Sequence, residues 1–199
     1  MFVDPAVSQA KFDREVAEFR GQQTAHHKRG IWLLDATFPD VFLVLMATKA
    51  QPIAAVFAVV INFENYDVEP PSVRFVHPVT REPLRAMDLP HPMQRIKRAK
   101  GPDGKLATGP NGEAMFEDQP LLQAEDLQRP AFLCLQGVRE YHAHPGHTGD
   151  SWWLHRGTGV GRLAYLANIL ATYGIDTVQG IRLQMVFGGF NVNPRHENE

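Results

Sequence analysis

Four runs of β-branched and aromatic residues follow one another closely in the first half of the sequence, and no other feature constrains the fold as strongly. They occupy residues 31–36, 41–48, 53–62 and 72–77. Short connections containing proline separate the first three runs, and side chains of the fourth alternate between two faces. Such runs, joined by short turns, indicate strands that pair with their neighbours in antiparallel order. The sequence therefore predicts a four-stranded antiparallel meander.

Helical patterns flank the predicted strands. Asp4 and Pro5 suit the first positions of a helix, and apolar side chains then recur on one face as far as Phe19. Apolar residues recur at helical spacing again over 160–173. Consecutive strands with helices before and after them are typical of α+β proteins rather than α/β proteins. We therefore predict one α+β domain that comprises residues 1–199.

Two segments show no clear period. Residues 95–119 are rich in glycine, proline and charged side chains, and they include the sequences GPDGK and GPNGE. This composition predicts a long loop, and a loop of that length is usually functional or mobile. Residues 191–199 are polar and predict a frayed tail.

The bulk properties exclude several classes of function. A formal net charge of −2 gives no reason to expect nucleic acid or an anionic membrane as a partner. The single cysteine excludes an internal disulfide and favours a reducing compartment, so we expect a cytoplasmic protein. The N-terminal sequence lacks the pattern of a signal peptide, and no apolar run is long enough to span a bilayer.

Reactive side chains concentrate in the segment 132–156. Cys134 lies in a short apolar run, and Glu140, His142, His144 and His147 follow it within a few residues. An imidazole can take the proton of a thiol and so create a nucleophile. Cysteine, histidine and glutamate are also ligands for zinc. From the residues alone, this cluster is either a nucleophile with its acid–base helpers or a metal site.

Over most of residues 5–173 the sequence resembles the ubiquitin-conjugating enzymes, which have the UBC fold. The matching residues run in the family's order along the chain: Asn62-Phe63, Tyr66, Pro70-Pro71, Val73-Arg74-Phe75, His77-Pro78, Cys134-Leu135 and Trp152 or Trp153. The resemblance implies an N-terminal helix, a four-stranded meander, a long loop with the reactive cysteine and a C-terminal helix. It also implies that the cysteine carries a ubiquitin-like modifier as a thioester.

The sequence departs from that family in three places. Asp67 stands where the family has a proline after the tyrosine. Val79 follows one His-Pro pair and Met93 the other, where the family has an asparagine that is thought to stabilise the oxyanion. The tryptophan lies much farther from Cys134 than in the family, and the extra residues hold the glutamate and the histidines.

The residues of this third departure are similar to those of a bacterial family named for a Cys-Glu-His-His pattern. That family is predicted to bind metal and is associated with ubiquitin-like conjugation. Cys134, Glu140 and two of His142, His144 and His147 would be the matching residues. If 139–144 were extended, Glu140, His142 and His144 would project from one face of a strand. Two of the histidines and the cysteine could then hold one zinc ion.

Three hypotheses follow from this sequence. The leading one is a bacterial conjugating enzyme in which Cys134 is the acyl carrier and Glu140, His142 and His144 are the acid–base groups; its partners are a ubiquitin-like modifier and the modifier's activating enzyme, and it needs no cofactor. The second is a zinc protein of the same fold, possibly a peptidase that processes a modifier, with Cys134, His142, His144 and His147 as metal ligands. The third is a catalytically silent adaptor that docks a modifier.

Overall fold

The structure, a computed structural model, describes residues 3–90, 93–101 and 103–180. The apolar run at 181–187, the tail at 191–199 and His91 lie outside the described residues. None of the helices within the described ranges is long and apolar enough to cross a membrane.

The first helix begins where its cap predicts. α1 spans Pro5–Gly21, and the Asp4 carboxylate accepts a hydrogen bond of 2.9 Å from the Ala6 amide. Its apolar face is buried against the sheet. The polar residues after it form a second helix, α2, at Gln23–Lys28, rather than the open connection that their polarity suggests.

A four-stranded antiparallel sheet follows, so the α+β class and the meander are both confirmed. The strands are β1 (Ile31–Thr37), β2 (Asp40–Ala47), β3 (Ala54–Asn62) and β4 (Ser72–Val76). Each strand pairs with the next, in the spatial order β1-β2-β3-β4. Because side chains alternate along each strand, one face supplies the main core and the other a smaller apolar cluster.

The last described helix closes the core. α4 spans Leu163–Leu170 and continues into a wider π-helical turn at Ala171–Ile175. A buried carboxylate fixes its first turn: Glu15 of α1, only 3% exposed, accepts hydrogen bonds from the Leu163 amide at 3.1 Å and the Arg162 Nε at 3.3 Å. The contact satisfies an amide that the start of a helix leaves free and joins α1 to α4.

The stretch 95–119 is not the loop that its composition predicts. Two strands, β5 (Gln94–Arg98) and β6 (Phe116–Pro120), pair antiparallel at the two ends of this stretch. Between them, isolated bridges join Lys100 to Leu106 and Thr108 to Ala114. Gly104 and Gly112 lie between the bridged residues, with φ of 74° and 82°. Both faces of the hairpin are largely exposed, so the hydrophobic alternation that reveals a half-buried strand is missing.

Short elements then carry the reactive segment past the sheet. β7 (Leu122–Gln123) pairs with β8 (Phe132–Leu133), and α3 spans Arg139–Ala143. Two single 3-10 turns follow, at Pro145–His147 and at Trp152–Leu154. The Trp152 side chain is buried in the main core, where its Nε1 donates to the Asp67 carbonyl at 2.9 Å.

Candidate functional site

Cys134 lies at the end of β8, where the chain leaves the core. Its amide donates a hydrogen bond of 2.7 Å to the Leu121 carbonyl, and the residue is 2% exposed. Burial raises the pKa of the Cys134 thiol, and the positive charges of Arg95 and Lys97 on β5 oppose that change only in part. The resting side chain is therefore a protonated thiol.

His147 is the histidine that reaches the thiol. Its Nε2 lies 3.3 Å from the Cys134 Sγ. Burial lowers the pKa of His147, the nearby His144 and His142 lower it further, and the Asp150 carboxylate acts in the opposite direction. The ring is therefore neutral at pH 7. With its proton on Nδ1, the ring offers the lone pair of Nε2 to the thiol, which is the arrangement of a general base and its nucleophile.

The segment that holds Glu140 and His142 is a helix at Arg139–Ala143, so the extended conformation on which the metal hypothesis depended is absent. Successive residues of an α-helix turn by about 100°, and side chains two positions apart therefore point to nearly opposite sides. Glu140 and His142 accordingly have different surroundings, and the shared face that the metal hypothesis requires does not form.

Glu140 binds the sheet. One carboxylate oxygen accepts a hydrogen bond from the Ser72 hydroxyl, and the other accepts one of 3.2 Å from the Val73 amide. Both partners belong to β4. These contacts join α3 to the sheet and occupy both carboxylate oxygens, and among the described residues the structure gives the acid–base role predicted for Glu140 no contact with the thiol to support it.

His142 and His144 are occupied by backbone groups. The Nδ1 of His142 lies 2.8 Å from the Asp150 carbonyl, and its Nε2 lies 2.5 Å from the Gln136 carbonyl. Since carbonyls only accept, both contacts are hydrogen bonds only when the ring is protonated. The Nδ1 of His144 accepts from the Gly146 amide at 3.1 Å. Of the three histidines considered as zinc ligands, His147 is the one that contacts the thiol.

The proposed zinc ligands do not converge. Within the described ranges, no group of three or more histidine, cysteine, aspartate or glutamate side chains is arranged to hold a metal ion. Of the four predicted zinc ligands, Cys134 and His147 are the two whose donor atoms lie in contact. Zinc sites in proteins have three or four protein ligands, so two donors are too few. The donor geometry does not fit a zinc ion bound by Cys134, His142, His144 and His147.

Asp150 is the centre of a hydrogen-bond network that the sequence did not reveal. Its Oδ2 accepts from the Tyr141 hydroxyl at 2.6 Å and from the Gln136 Nε2 at 3.1 Å, and its Oδ1 lies 2.5 Å from the Nε2 of His155. Burial alone would raise the pKa of Asp150, but the hydrogen bonds from His155, Tyr141 and Gln136 outweigh it and lower that pKa to about 2. The carboxylate is ionised at any working pH.

Tyr141 connects this network to the reactive pair. Its ring stacks on the His147 ring, with the centroids 3.9 Å apart and the planes inclined by 21°. Burial, together with the hydrogen bond to Asp150 and that residue's charge, raises the pKa of Tyr141 to about 12. The phenol therefore keeps its proton and acts as a hydrogen-bond donor.

Comparison with known proteins places the chain in a family. The model of the Y4jH family, described as Y4jH-like, matches residues 3–178. The chain belongs to the Y4jH family. A relative in Sinorhizobium fredii (strain NBRC 101917 / NGR234), the uncharacterized protein y4jH, is 39% identical over 195 residues, which is 97% of this chain and 95% of the relative. Neither match names a ubiquitin-conjugating enzyme, so that relationship and the Cys-Glu-His-His relationship stay proposals.

An open groove lies beside the reactive segment of this Y4jH family member. Its volume is about 940 Å³, and its lining includes Gln94, Gln123, Arg129, Phe132 and His144. Phe132 belongs to β8 and is two residues before the cysteine, and the His144 ring packs on it at 5.2 Å. Because His144 and Pro145 also line the groove, the groove borders the turn that carries His147.

From the sequence, His147 was considered only as a metal ligand, and Asp150 and Tyr141 were given no role. One signal could have shown that Glu140 and His142 do not act together. The residues Arg139–Ala143 (REYHA) include good helix formers and lack the β-branched residues of a strand. A helix there would have separated Glu140 from His142.

Proposed function

We propose that this protein is a thiol acyl carrier of a ubiquitin-like modification system, with Cys134 as the nucleophile and His147 as its general base. The observation that carries the proposal is the 3.3 Å approach of the His147 Nε2 to the Cys134 Sγ. The assignment replaces Glu140, His142 and His144 as acid–base groups, because backbone and sheet contacts occupy those three side chains.

The reaction has two steps. First, the Cys134 sulfur attacks the carbonyl carbon of an activated modifier C-terminus, presented as a thioester on its activating enzyme, while His147 takes the thiol proton. The donor's carbon–sulfur bond breaks, and its leaving thiolate receives that proton. Secondly, an acceptor amine attacks the new thioester, Cys134 leaves as a thiolate, and His147 carries the amine's proton to it.

The order of elements supports this function. An N-terminal helix, a four-stranded antiparallel meander, a cysteine after the sheet and a C-terminal helix follow one another here, as they do in the ubiquitin-conjugating enzymes. The β5–β6 hairpin lies before the cysteine, where the resemblance implies a long loop. The amide of Cys134 is already bonded to Leu121, so another donor has to stabilise the oxyanion.

Access to the thiol is part of the proposed mechanism. Cys134 is 2% exposed and its sulfur contacts His147, so we infer that an acyl donor displaces the turn at Pro145–His147 to reach it. Two glycines give this part of the backbone conformational freedom: Gly146 is inside the turn, and Gly149 follows it with a φ of 97°. A donor lying in the adjacent groove would displace the turn as it binds.

Acyl loading tests the proposal directly. The purified chain is mixed with a peptide thioester and, in parallel, with a ubiquitin-like protein carrying the same C-terminal thioester, and the adduct is followed by mass spectrometry. Cys134 is the only cysteine, so any adduct that excess thiol reverses is on that residue. We expect Cys134→Ala to form no such adduct and His147→Gln to load about 100-fold more slowly, the usual contribution of a positioned base.

His27→Gln is the matched control, because it makes the same substitution on α2, outside the reactive segment. It should load at the wild-type rate. Equal rates for wild type and His147→Gln would exclude His147 as the base. If the wild-type chain forms no adduct with either thioester, the acyl-carrier function is wrong and the adaptor hypothesis takes its place.

A further inference from the structure

The backbone that carries the His147 ring is a short turn rather than a long helix or a strand. It belongs to a single 3-10 turn of three residues, which the Gly146 backbone loosens. One edge of the ring meets the Cys134 sulfur, and one face meets the Tyr141 ring. The next ring, that of His144, is more distant, with the centroids 5.6 Å apart and the planes inclined by 50°. The orientation of the imidazole therefore depends on Tyr141.

Tyr141 itself is fixed at both ends. Its backbone is part of α3, which Glu140 ties to β4. Its hydroxyl donates to the Asp150 carboxylate at 2.6 Å. The charge on the acceptor makes this one of the stronger kinds of hydrogen bond.

The network returns to the segment that holds the nucleophile. Asp150 accepts from the Nε2 of Gln136, which is only two residues after Cys134. A continuous ring of contacts thus runs from Cys134 along the chain to Gln136, then to Asp150, Tyr141, His147 and back to the thiol. Each residue in this closed series of contacts restrains the next one, and the thiol and its base are adjacent members of the series.

We propose that Tyr141, anchored by Asp150, is the positioning residue that holds the His147 imidazole against the Cys134 thiol. The inference rests on the proposed acyl-carrier function and adds to it the means by which the base is oriented. Tyr141 takes no proton and forms no bond in the reaction. Its effect passes wholly through His147, and this distinguishes it from a residue that merely supports the fold.

A double-mutant cycle on peptide thioester loading tests the proposal. Tyr141→Leu removes the stacked ring, and we expect loading about tenfold or more slower, because small displacements of a catalytic group have large effects on rate. Tyr141→Phe keeps the ring and loses only the anchor to Asp150, so it should recover most of the lost rate. Tyr141→Leu combined with His147→Gln should load no more slowly than His147→Gln alone.

The outcomes separate the two proposals. If His147→Gln loads normally, the proposed function fails. If His147→Gln is slow but Tyr141→Leu loads normally, or if the two effects multiply in the double variant, only the positioning role is wrong. Thermal unfolding of each variant shows whether it is folded. If Tyr141→Leu does not fold, the cycle is run with Tyr141→Met, which also removes the ring: a decrease in rate that disappears in the His147→Gln background supports the role, and an unchanged rate refutes it.

Discussion

Asp150→Asn should destabilise the folded chain, and the structure gives the size of the effect. The Asp150 side chain is 26% exposed and accepts three hydrogen bonds from side chains. Burial opposes ionisation, but the bonds from His155, Tyr141 and Gln136 prevail and lower the pKa of Asp150 from its ordinary 3.8 to about 2. A difference of that size corresponds to about 2 kcal/mol of unfolding free energy at neutral pH.

The dependence on pH follows from the direction of the shift. Because the folded-state pKa of Asp150 is below the unfolded-state pKa, the stabilisation is complete above about pH 5 and is lost as the pH falls towards 2. The neutral asparagine mimics the protonated carboxyl and lacks this contribution at every pH. The difference between wild type and variant should therefore narrow to about 1 kcal/mol at pH 3.

Urea unfolding at pH 7, 5 and 3, followed by tryptophan fluorescence, measures both quantities. Asp13→Asn is the matched control, because Asp13 is an exposed residue of α1. Its unfolding free energy should stay within about 0.5 kcal/mol of the wild-type value. An Asp150→Asn variant as stable as wild type at pH 7, or a difference that does not change with pH, would refute the network described around this carboxylate.

Two further predictions concern residues whose expected roles changed. Glu140→Ala should lower the unfolding free energy by about 1–3 kcal/mol, because it removes the acceptor for the Ser72 hydroxyl and the Val73 amide. Adding Ser72→Ala to that variant should lower the unfolding free energy little further. If urea unfolding shows that the two effects add in full, the shared contact is contradicted. Treatment with a strong zinc chelator should leave the loading of Cys134 by a peptide thioester unchanged, because the donors do not converge on one point; a tenfold decrease that added zinc reverses would favour the metal site.

The sheet could be predicted from sequence because its strands are half-buried or fully buried. Their apolar residues repeat with the period of a strand, and proline-containing turns mark the ends. The ends of the predicted runs differ from the ends of β1 to β4 by no more than one residue. The N-terminal helix was equally clear, because its cap, its proline and its apolar face all indicate the same start.

The β5–β6 hairpin could not be predicted from the same signal. Ile96 is 71% exposed and Phe116 62% exposed, and charged residues occupy both faces. Backbone pairing, rather than burial of one face, defines these strands, and a hydrophobic pattern does not report backbone pairing. Glycine and proline were correctly seen as turn residues, but the segments between the turns were read as part of one loop.

The segment that holds the candidate site could be identified from the sequence, but the contacts within that segment could not. Cys134 was identified because it is the only cysteine and follows an apolar run, and the histidines were identified by their proximity to it. Which histidine meets the sulfur depends on whether 139–144 is helical or extended, and the alternating Glu-x-His-x-His sequence suited a strand. The hydrogen bonds of Asp150 join residues that only the folded turns bring together, so no spacing rule could have found them.

The protonation states of Cys134 and His147 are compatible with the proposed acyl-carrier function. A permanently ionised, solvent-exposed cysteine reacts readily with electrophiles in solution. Burial raises the pKa of the Cys134 thiol, so this side chain stays protonated and unreactive. The neutral His147 beside it can take the proton only as the sulfur attacks. In the proposed mechanism, a donor that displaces the turn carrying His147 leaves the base to return to the sulfur before the thiol reacts. The contacts that link Gln136, Asp150, Tyr141 and His147 would orient the base again once the donor has bound.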